Sequence, residues 1–257
     1  MNFGRTVVAR LRSWGRLGRF AGLATVAAVS PSTYDKATLA VALRQIYFTA
    51  WQVLPFYVLF AALFSFIIIE IVATSARQYG LSQYALELVL RVLVLELIPL
   101  LTALFVALRS GAAIGTEVAL MRVTGELEQI EAAGKSPLQR EFVPRIVAAA
   151  LSVASLTVVS SAIALLIAYL AMYGVSPWGF EEYTRSVGKV FDAPALTGYA
   201  LKCLLFGLAV ALVPIAAGLE AVRDRVKSAP VAVLGGLVKL FFMLGLIEVL
   251  SLAAKYV

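Results

Sequence analysis

The sequence predicts an all-α membrane protein that crosses the bilayer five times. Of its 257 residues, 61% are hydrophobic and only 14% are charged, whereas a soluble globular domain is typically about 45–50% apolar and about 25% charged. Five apolar runs reach the roughly 20 residues that an α-helix needs to span a bilayer. The short alternating segments typical of a transmembrane barrel do not occur in the sequence.

The first 52 residues are expected to form helices that lie in the membrane interface. Drawn as a helix, the basic leader has four apolar residues on one stripe and four arginines on another, a pattern typical of a helix in the headgroup plane. The apolar residues are Phe3, Val7, Leu11 and Trp14, and the arginines are Arg5, Arg12, Arg16 and Arg19. The alternative is a signal peptide with FAGLATVAAVS as its apolar core. Residues 37–51 predict a second, half-apolar interfacial helix that ends at Trp51.

Five spanning helices follow within residues 53–257, which we treat as one membrane domain. Their approximate bounds are residues 53–74, 84–108, 146–173, 195–219 and 231–254. The third span carries no charged residue, whereas each of the others contains at least one. The link between the third and fourth spans is predicted to be a polar loop, with Trp178 and Phe180 as anchors in the interface.

The distribution of basic residues predicts the orientation in the membrane. An odd number of spans puts the two ends of the chain on opposite sides, and fifteen basic residues lie on the side of the amino terminus against four on the other. The fifteen are Arg5, Arg10, Arg12, Arg16, Arg19, Lys36, Arg44, Arg109, Arg122, Lys135, Arg140, Arg145, Arg223, Arg225 and Lys227; the four are Arg77, Arg185, Lys189 and Lys255. Because basic loops are retained in the cytoplasm, we expect a cytoplasmic amino terminus and an external carboxy terminus. The same rule accounts for the net charge of +7 without a nucleic-acid partner.

The residue inventory speaks against an enzyme. The chain has no histidine, which excludes a His-ligated metal site, and its one cysteine, Cys203, cannot form an intrachain disulfide. It has no Walker A pattern, so it cannot hydrolyse ATP by that route. We identify no catalytic residues and no metal ligands.

The segment between the second and third spans predicts an amphipathic helix from residue 115 to residue 133. One side is apolar and the other is polar and mostly acidic. The apolar side comprises Leu120, Val123, Leu127 and Ile130, and the polar side comprises Glu117, Thr124, Glu128 and Glu131. Gly134 suits the left-handed position after a helix, and Pro137 prevents its continuation. The helix either presents its acidic side to a partner or is a solvated connector.

Residues 96–149 resemble the core of the MlaE/YrbE permease family, the membrane subunits of bacterial MCE-type ABC lipid transporters. The residues that carry the resemblance are Glu96, Pro99, Arg109, Gly111, Glu117, Met121, Arg122, Glu128, Gly134, Pro137, Pro144 and Arg145. A weaker similarity extends to Lys202, Phe206 and Gly207 in the fourth span and to Glu248 in the fifth. The chain departs from the family's usual Arg-Glu-Leu-Gly-Pro and Gly-Arg-Ala-Gly patterns at residues 95–99 and 108–111, as a divergent member would.

The resemblance implies a permease that moves phospholipid or a similar lipid between the bacterial inner membrane and the periplasm. It implies a second copy of the chain, a cytoplasmic ABC ATPase dimer that binds the ATP and magnesium, and a periplasmic MCE-domain assembly. It also implies that residues 115–134 are the coupling helix that docks on the ATPase, similar to the EAA loop of ABC importers. The coupling residues are then Glu117, Arg122, Glu128, Glu131 and Gly134. An ion-coupled carrier of amphiphiles and a non-transporting membrane scaffold remain as alternatives.

Ionisable residues within the spans are functional candidates because each costs about 2.5–3.5 kcal/mol at the centre of a spanning helix. They are Glu70, Arg91, Glu96, Lys202, Lys239 and Glu248. In one interpretation, Arg91 or Lys202 meets a lipid phosphate in a cavity between two copies. In the other, the charges pair internally. Examples of such pairs are Glu96 or Glu248 with Arg91, Arg109 or Lys239.

Overall fold

The computed structural model describes residues 15, 18–27, 30, 36–221 and 228–256. Most of the predicted interfacial helix over residues 3–19, the choice between that helix and a signal peptide, and the basic residues at 223–227 therefore lie outside the described residues. Residues 18–27 are helical.

Five helices are long and apolar enough to cross a membrane, which confirms the predicted all-α fold with five spans. They are Ala40–Gln78, Tyr84–Thr124, Leu138–Tyr173, Ala193–Gly218 and Ala229–Lys255. No strand occurs among the described residues. Each link returns the chain into the bundle from the side on which the preceding span ends, so adjacent spans run antiparallel. We call the side that holds the link between the second and third spans the N-face, and the opposite side, where the fifth span ends, the C-face.

The first and third spans each contain a π-helical turn in the half nearer the N-face. The helix Lys36–Ile46 runs into a π-helical turn, Tyr47–Trp51, and the regular helix resumes as Leu54–Gln78. The sequence predicts a separate interfacial helix that ends at Trp51, whereas the apolar helix that starts at Ala40 continues through this turn to Gln78. The third span likewise has a π-helical turn, Leu138–Phe142, ahead of the helix Val143–Tyr173.

The second span is longer and less regular than the sequence predicts. Its regular helices are Ser82–Leu88, Ile98–Val106 and Ala112–Thr124, and they are joined by the π-helical segments Val89–Leu97 and Ala107–Gly111. The prediction ended this span at Leu108, but the structure continues it to Thr124. Small residues allow this continuation, since a Cβ on Gly115 would lie only 3.3 Å from the Cβ of Pro214. The extension is therefore packed against the fourth span.

The single coupling helix predicted over residues 115–134 is wrong in its extent. The structure breaks it at Gly125, whose φ of 78° is left-handed, so that Ala112–Thr124 belongs to the second span and Glu126–Ala132 is a separate short helix. Residues other than glycine rarely adopt this backbone conformation. The helical spacing of the apolar residues continues across Gly125, which is why the pattern alone did not reveal the break.

The link between the third and fourth spans is a helix and not the predicted polar loop. A 3₁₀ turn, Pro177–Gly179, leads into the helix Phe180–Val190. Its apolar residues recur at helical spacing, and the buried Tyr183 hydroxyl donates a 2.8 Å hydrogen bond to the carbonyl of Leu165 in the third span. Burial raises the pKa of Tyr183 to about 12. Trp178 is 91% exposed, so an interfacial role for it stays a prediction.

The fourth span, the helix Ala193–Gly218, is central to the bundle. Two-thirds of its most apolar stretch is buried, compared with 22% for the fifth span, whose regular helix is Ser228–Tyr256. Close approach to the third span depends on Gly207, because a Cβ there would lie 2.5 Å from the Cα of Ala150. Small residues allow spanning helices to approach closely in this way.

Candidate functional site

Four charged side chains from three spans meet towards the C-face. Glu96 comes from the second span, Lys202 from the fourth, and Glu248 and Lys255 from the fifth. The Lys202 ammonium donates a hydrogen bond to a carboxylate oxygen of Glu96 and lies 3.2 Å from Oε2 of Glu248. The Lys255 ammonium lies 2.9 Å from the other carboxylate oxygen of Glu96. We call these four residues the ionic cluster.

The ionic cluster is neutral as a whole, with two acids balanced by two bases. The side chain of Lys202 is 2% exposed, those of Glu96 and Glu248 are 11% and 13% exposed, and that of Lys255 is 25% exposed. A buried charge is tolerated only when it is paired, because desolvation of an isolated ion is very costly. The cluster therefore ties the second, fourth and fifth spans together. Glu96 lies in a π-helical segment, a feature found frequently at functional sites.

A cavity of about 580 Å³ lies beside the ionic cluster. Its volume is in the range of about 300–1,000 Å³ typical of ligand pockets. The charged residues that line it are Arg91, Glu96, Asp192, Lys202 and Lys255. Its aliphatic lining includes Leu95, Leu201, Leu205, Ile247 and Leu250. The cavity thus combines fixed charges with apolar walls.

Three other charged residues of the spans, Arg91, Lys239 and Arg109, have partners outside the ionic cluster. Arg91 forms a 2.9 Å ion pair with Glu87 four residues earlier. Lys239 forms a 2.9 Å ion pair with Glu220. The guanidinium of Arg109 donates a hydrogen bond to the side chain of Gln52.

Internal pairing of Glu96 and Glu248 is therefore present, but their partners are Lys202 and Lys255 and not Arg91, Arg109 or Lys239, the examples that the sequence suggested. Glu70 neither joins the ionic cluster nor lines the cavity beside it, within the described part of the chain. Lys255 is the member that the sequence analysis missed. A signal was present, because Lys255 lies seven residues after Glu248 and so falls on the same face of the helix.

A second group of charges lies at the N-face, where the second span turns into the third. The Arg145 side chain is 9% exposed, and its guanidinium lies 3.2 Å from a carboxylate oxygen of Glu117 and 2.6 Å from one of Glu141. A further ion pair joins Arg122 to Glu128 across the break at Gly125. These pairs hold the turn, residues 112–142, in a defined shape, and we call it the elbow.

The predicted coupling residues are distributed unevenly over the elbow. Glu117, Arg122 and Glu128 all take part in internal ion pairs. Glu131 is exposed, and Gly134 has a φ of 72° and occupies the left-handed position that the sequence predicts. Among the four charged coupling residues that the sequence predicts, Glu131 can therefore contact a partner without breaking the ion pairs of Arg122 and Arg145.

The predicted apolar stripe of the elbow is only partly buried. Val123 and Leu127 are 4% and 5% exposed, whereas Leu120 is 44% exposed. Residues 18–27 pack beside this stripe, and the ring of Phe20 meets that of Phe142 edge-on with their centroids 6.0 Å apart. The elbow thus has a fixed apolar base and an accessible outer side.

Comparisons with known proteins find similarity over most of the chain. A family model described as "Permease MlaE" matches residues 42–253. A relative from Rickettsia prowazekii, named "Probable ABC transporter permease protein", is 24% identical over 82% of this chain and 80% of its own length. A Synechocystis relative, also named as a probable ABC transporter permease protein, is 30% identical over 48% of this chain and 47% of its own length. The "Intermembrane phospholipid transport system permease protein MlaE" of Haemophilus influenzae is 30% identical over 45% of this chain and 50% of its own length.

Proposed function

Because the chain belongs to the MlaE permease family and is an ABC transporter permease, we propose that it moves phospholipid or a similar lipid between the inner membrane and the periplasm. The observation that carries the proposal is the cavity beside the ionic cluster, whose walls are apolar and whose remaining lining is charged. A phospholipid likewise combines apolar acyl chains with a charged headgroup. The Haemophilus relative, named for intermembrane phospholipid transport, supports this class of substrate.

The ionic cluster has a physical role in such a transporter. A pathway that admits a lipid must open between spans, and the pairs from Lys202 to Glu96 and Glu248 cross the boundaries between three of them. Pairs of this kind can hold one arrangement of the spans and re-form in another, since packed helices change in discrete steps. The cluster thereby limits the permease to a few defined states.

The elbow is the proposed contact with a cytoplasmic ABC ATPase dimer, which would bind the ATP and magnesium. A rigid element that a moving partner grips can pass a rigid-body shift to the spans on both sides. Arg145 supplies the rigidity, because its pair with Glu117 links the end of the second span to the start of the third, and its pair with Glu141 holds the first turns of the third span. Exposed Glu131 supplies a negative charge for a basic groove on the partner.

The assembly is proposed to contain a second copy of the chain and a periplasmic MCE-domain protein. The family resemblance supports both, and the excess of basic residues at the N-face supports a cytoplasmic amino terminus. The proposed location is the inner membrane, with the C-face towards the periplasm. An ion-coupled carrier would instead use Glu96, Glu248 and Lys202 as a relay, and its transport would stop when the ion gradient is collapsed.

Co-purification of the ATPase with the tagged full-length chain tests the coupling. Glu131→Lys is expected to lower the amount of bound ATPase at least about tenfold, since it replaces a favourable charge contact by a repulsive one. Glu182→Lys is the matched control, because Glu182 is also exposed but lies on the C-face helix. Glu128 is a poorer choice, since its reversal would also break the pair with Arg122.

Three results would contradict the proposal. Unchanged attachment of the ATPase in the Glu131→Lys variant would show that the elbow is not the binding site for the ATPase. A purified wild-type complex that contains no phospholipid by mass spectrometry would remove lipid as the substrate and favour the scaffold alternative. Transport that persists without ATP and stops with an uncoupler would favour the ion-coupled carrier.

A further inference from the structure

We propose that Lys255, together with Arg91, binds the phosphate of an anionic phospholipid headgroup at the mouth of the cavity beside the ionic cluster. This inference rests on the proposed lipid-transport function and names the headgroup that the cavity selects. Both side chains line that cavity, and each residue lies in the part of its span that is nearer the C-face. The family resemblance pointed to neither a role for Lys255 nor a pairing of these two cations.

The cavity has a charged mouth and an apolar interior. Arg91, Asp192 and Lys255 lie near the C-face ends of the second, fourth and fifth spans, whereas Leu205 and Ile247 line the cavity deeper in the bundle. Leu205 follows Asp192 by thirteen residues and Ile247 precedes Lys255 by eight, which correspond to about 20 Å and about 12 Å along a helix. A bound lipid would therefore place its headgroup at the mouth and its acyl chains inward.

Lys255 is the member of the ionic cluster that can change partner at the lowest cost. Its side chain is 25% exposed, against 2% for Lys202. When Lys255 leaves Glu96, that carboxylate keeps its hydrogen bond from Lys202. A lysine has a flexible four-carbon stem and a compact charge, so its ammonium can reach from Glu96 into the mouth without movement of the helix.

Arg91 is the second cation at the mouth. Its pair with Glu87 is four residues apart on one helix, and the two side chains are 40% and 46% exposed. Ion pairs of this spacing on one helix contribute little, so this one can be exchanged. The planar guanidinium presents parallel donors that match two phosphate oxygens. One ammonium and one guanidinium together suit a phosphodiester.

The acidic groups that line the cavity have other partners, so they compete weakly with a lipid phosphate for Lys255 and Arg91. The carboxylate of Glu96 is already held by Lys202, and that of Asp192 accepts the backbone N–H of Ala195 at 2.8 Å as the cap of the fourth span. An anionic headgroup would gain contacts with both exposed cations. The ammonium of a zwitterionic headgroup would be repelled by them, so the mouth favours the anionic lipid.

The test measures which lipids the full chain retains with its ATPase partner after exposure to vesicles of equal phosphatidylglycerol and phosphatidylethanolamine. Mass spectrometry of the bound lipid is expected to show about tenfold enrichment of phosphatidylglycerol for the wild type, the factor that one charge-assisted contact supplies. Lys255→Gln and Arg91→Gln should each return the ratio to nearly that of the vesicle. Lys255→Arg should keep the enrichment.

Lys239→Gln is the matched control, because Lys239 is on the same span and also forms an ion pair with a glutamate, but near the N-face. It should leave the enrichment unchanged. Exposure of Cys203 to a thiol dye on heating, which reports unfolding, shows whether each variant is folded. An unchanged lipid ratio in a folded Lys255→Gln variant would overturn the inference.

A separate arm distinguishes lipid from free phosphate. Inorganic phosphate is titrated onto the lipid-depleted protein, and its effect on thermal stability is measured. Stabilisation by inorganic phosphate that depends on Lys255, without enrichment of phosphatidylglycerol, would assign the site to a soluble anion and overturn the lipid assignment. Bound phosphatidylethanolamine without enrichment would overturn this inference alone, whereas a wild type without any phospholipid would overturn the proposed function as well.

Discussion

Replacement of Lys202 by methionine is expected to destabilise the bundle strongly. The substitution keeps most of the unbranched side chain, which is one atom shorter in methionine, and removes its charge. Lys202 is 2% exposed and contacts both Glu96 and Glu248, whose side chains are 11% and 13% exposed. In the variant, Lys255 still compensates Glu96, but Glu248 loses the ion pair that the structure gives it.

The magnitude follows from the burial of these groups. Removal of one partner from a buried ion pair costs about 3–5 kcal/mol, because an uncompensated charge remains in an environment of low polarity. At about 2–4 °C per kcal/mol for a chain of this size, the midpoint of thermal unfolding should fall by about 6–20 °C. The double variant Lys202→Met/Glu248→Gln removes one base and one acid and leaves the neutral pair of Glu96 and Lys255. It should recover at least half of the loss.

The chain carries its own reporter for the assay. Cys203 is the single cysteine of the sequence and is 4% exposed, so a thiol-reactive fluorescent dye labels it only when the bundle opens. The detergent-solubilised protein is heated with the dye, and the midpoint of the fluorescence rise is compared among variants. The control Arg185→Met removes a pair whose side chains are 69% and 86% exposed, and such surface pairs contribute about 0–1 kcal/mol.

Two results would refute this reasoning. If Lys202→Met lowers the midpoint no more than Arg185→Met does, the ionic cluster does not hold the spans together. If the double variant is less stable than Lys202→Met alone, the loss does not arise from an uncompensated Glu248. In that case, the packing of the lysine stem would have to account for it.

Three further substitutions, one of them a control, test the fold with the same assay. Gly207→Ala should destabilise by about 1–3 kcal/mol through overpacking against Ala150, whereas Gly245→Ala, with nothing within 4 Å of the new Cβ, should be neutral or stabilising; equal effects would refute the close approach. Gly125→Ala should cost about 1–2 kcal/mol because the left-handed φ of 78° is unfavourable for alanine. A stabilised Gly125→Ala variant would show that the elbow is a continuous helix.

The sequence by itself determined the class of the protein and the number of its spans. Hydropathy is a local property, so a run of about 20 apolar residues is visible without knowledge of its neighbours. The charges inside those runs were visible for the same reason, which is how Glu96, Lys202 and Glu248 were identified as candidates before any contact was known. Their cost in a bilayer marked them as residues with a role.

The spacing of apolar residues did not predict the helices correctly where a helix changes direction or begins inside a polar segment. The apolar spacing of the elbow continues through Gly125, so only the backbone geometry revealed two helices. The link after the third span was mistaken for a loop because its polar composition outweighed the helical spacing of Phe180, Tyr183 and Val190. Its burial against the third span decides the matter.

The tertiary structure alone decided which charges pair. Lys202 is separated from Glu96 by 106 residues and from Glu248 by 46, and their meeting depends on how the second, fourth and fifth spans pack. The same packing brings Lys255, at the end of the chain, to Glu96 and to the mouth of the cavity. Spacing along one helix fixes the face on which a charge lies, but the partner across the interface is fixed only when the small residues of neighbouring spans set their distance and rotation.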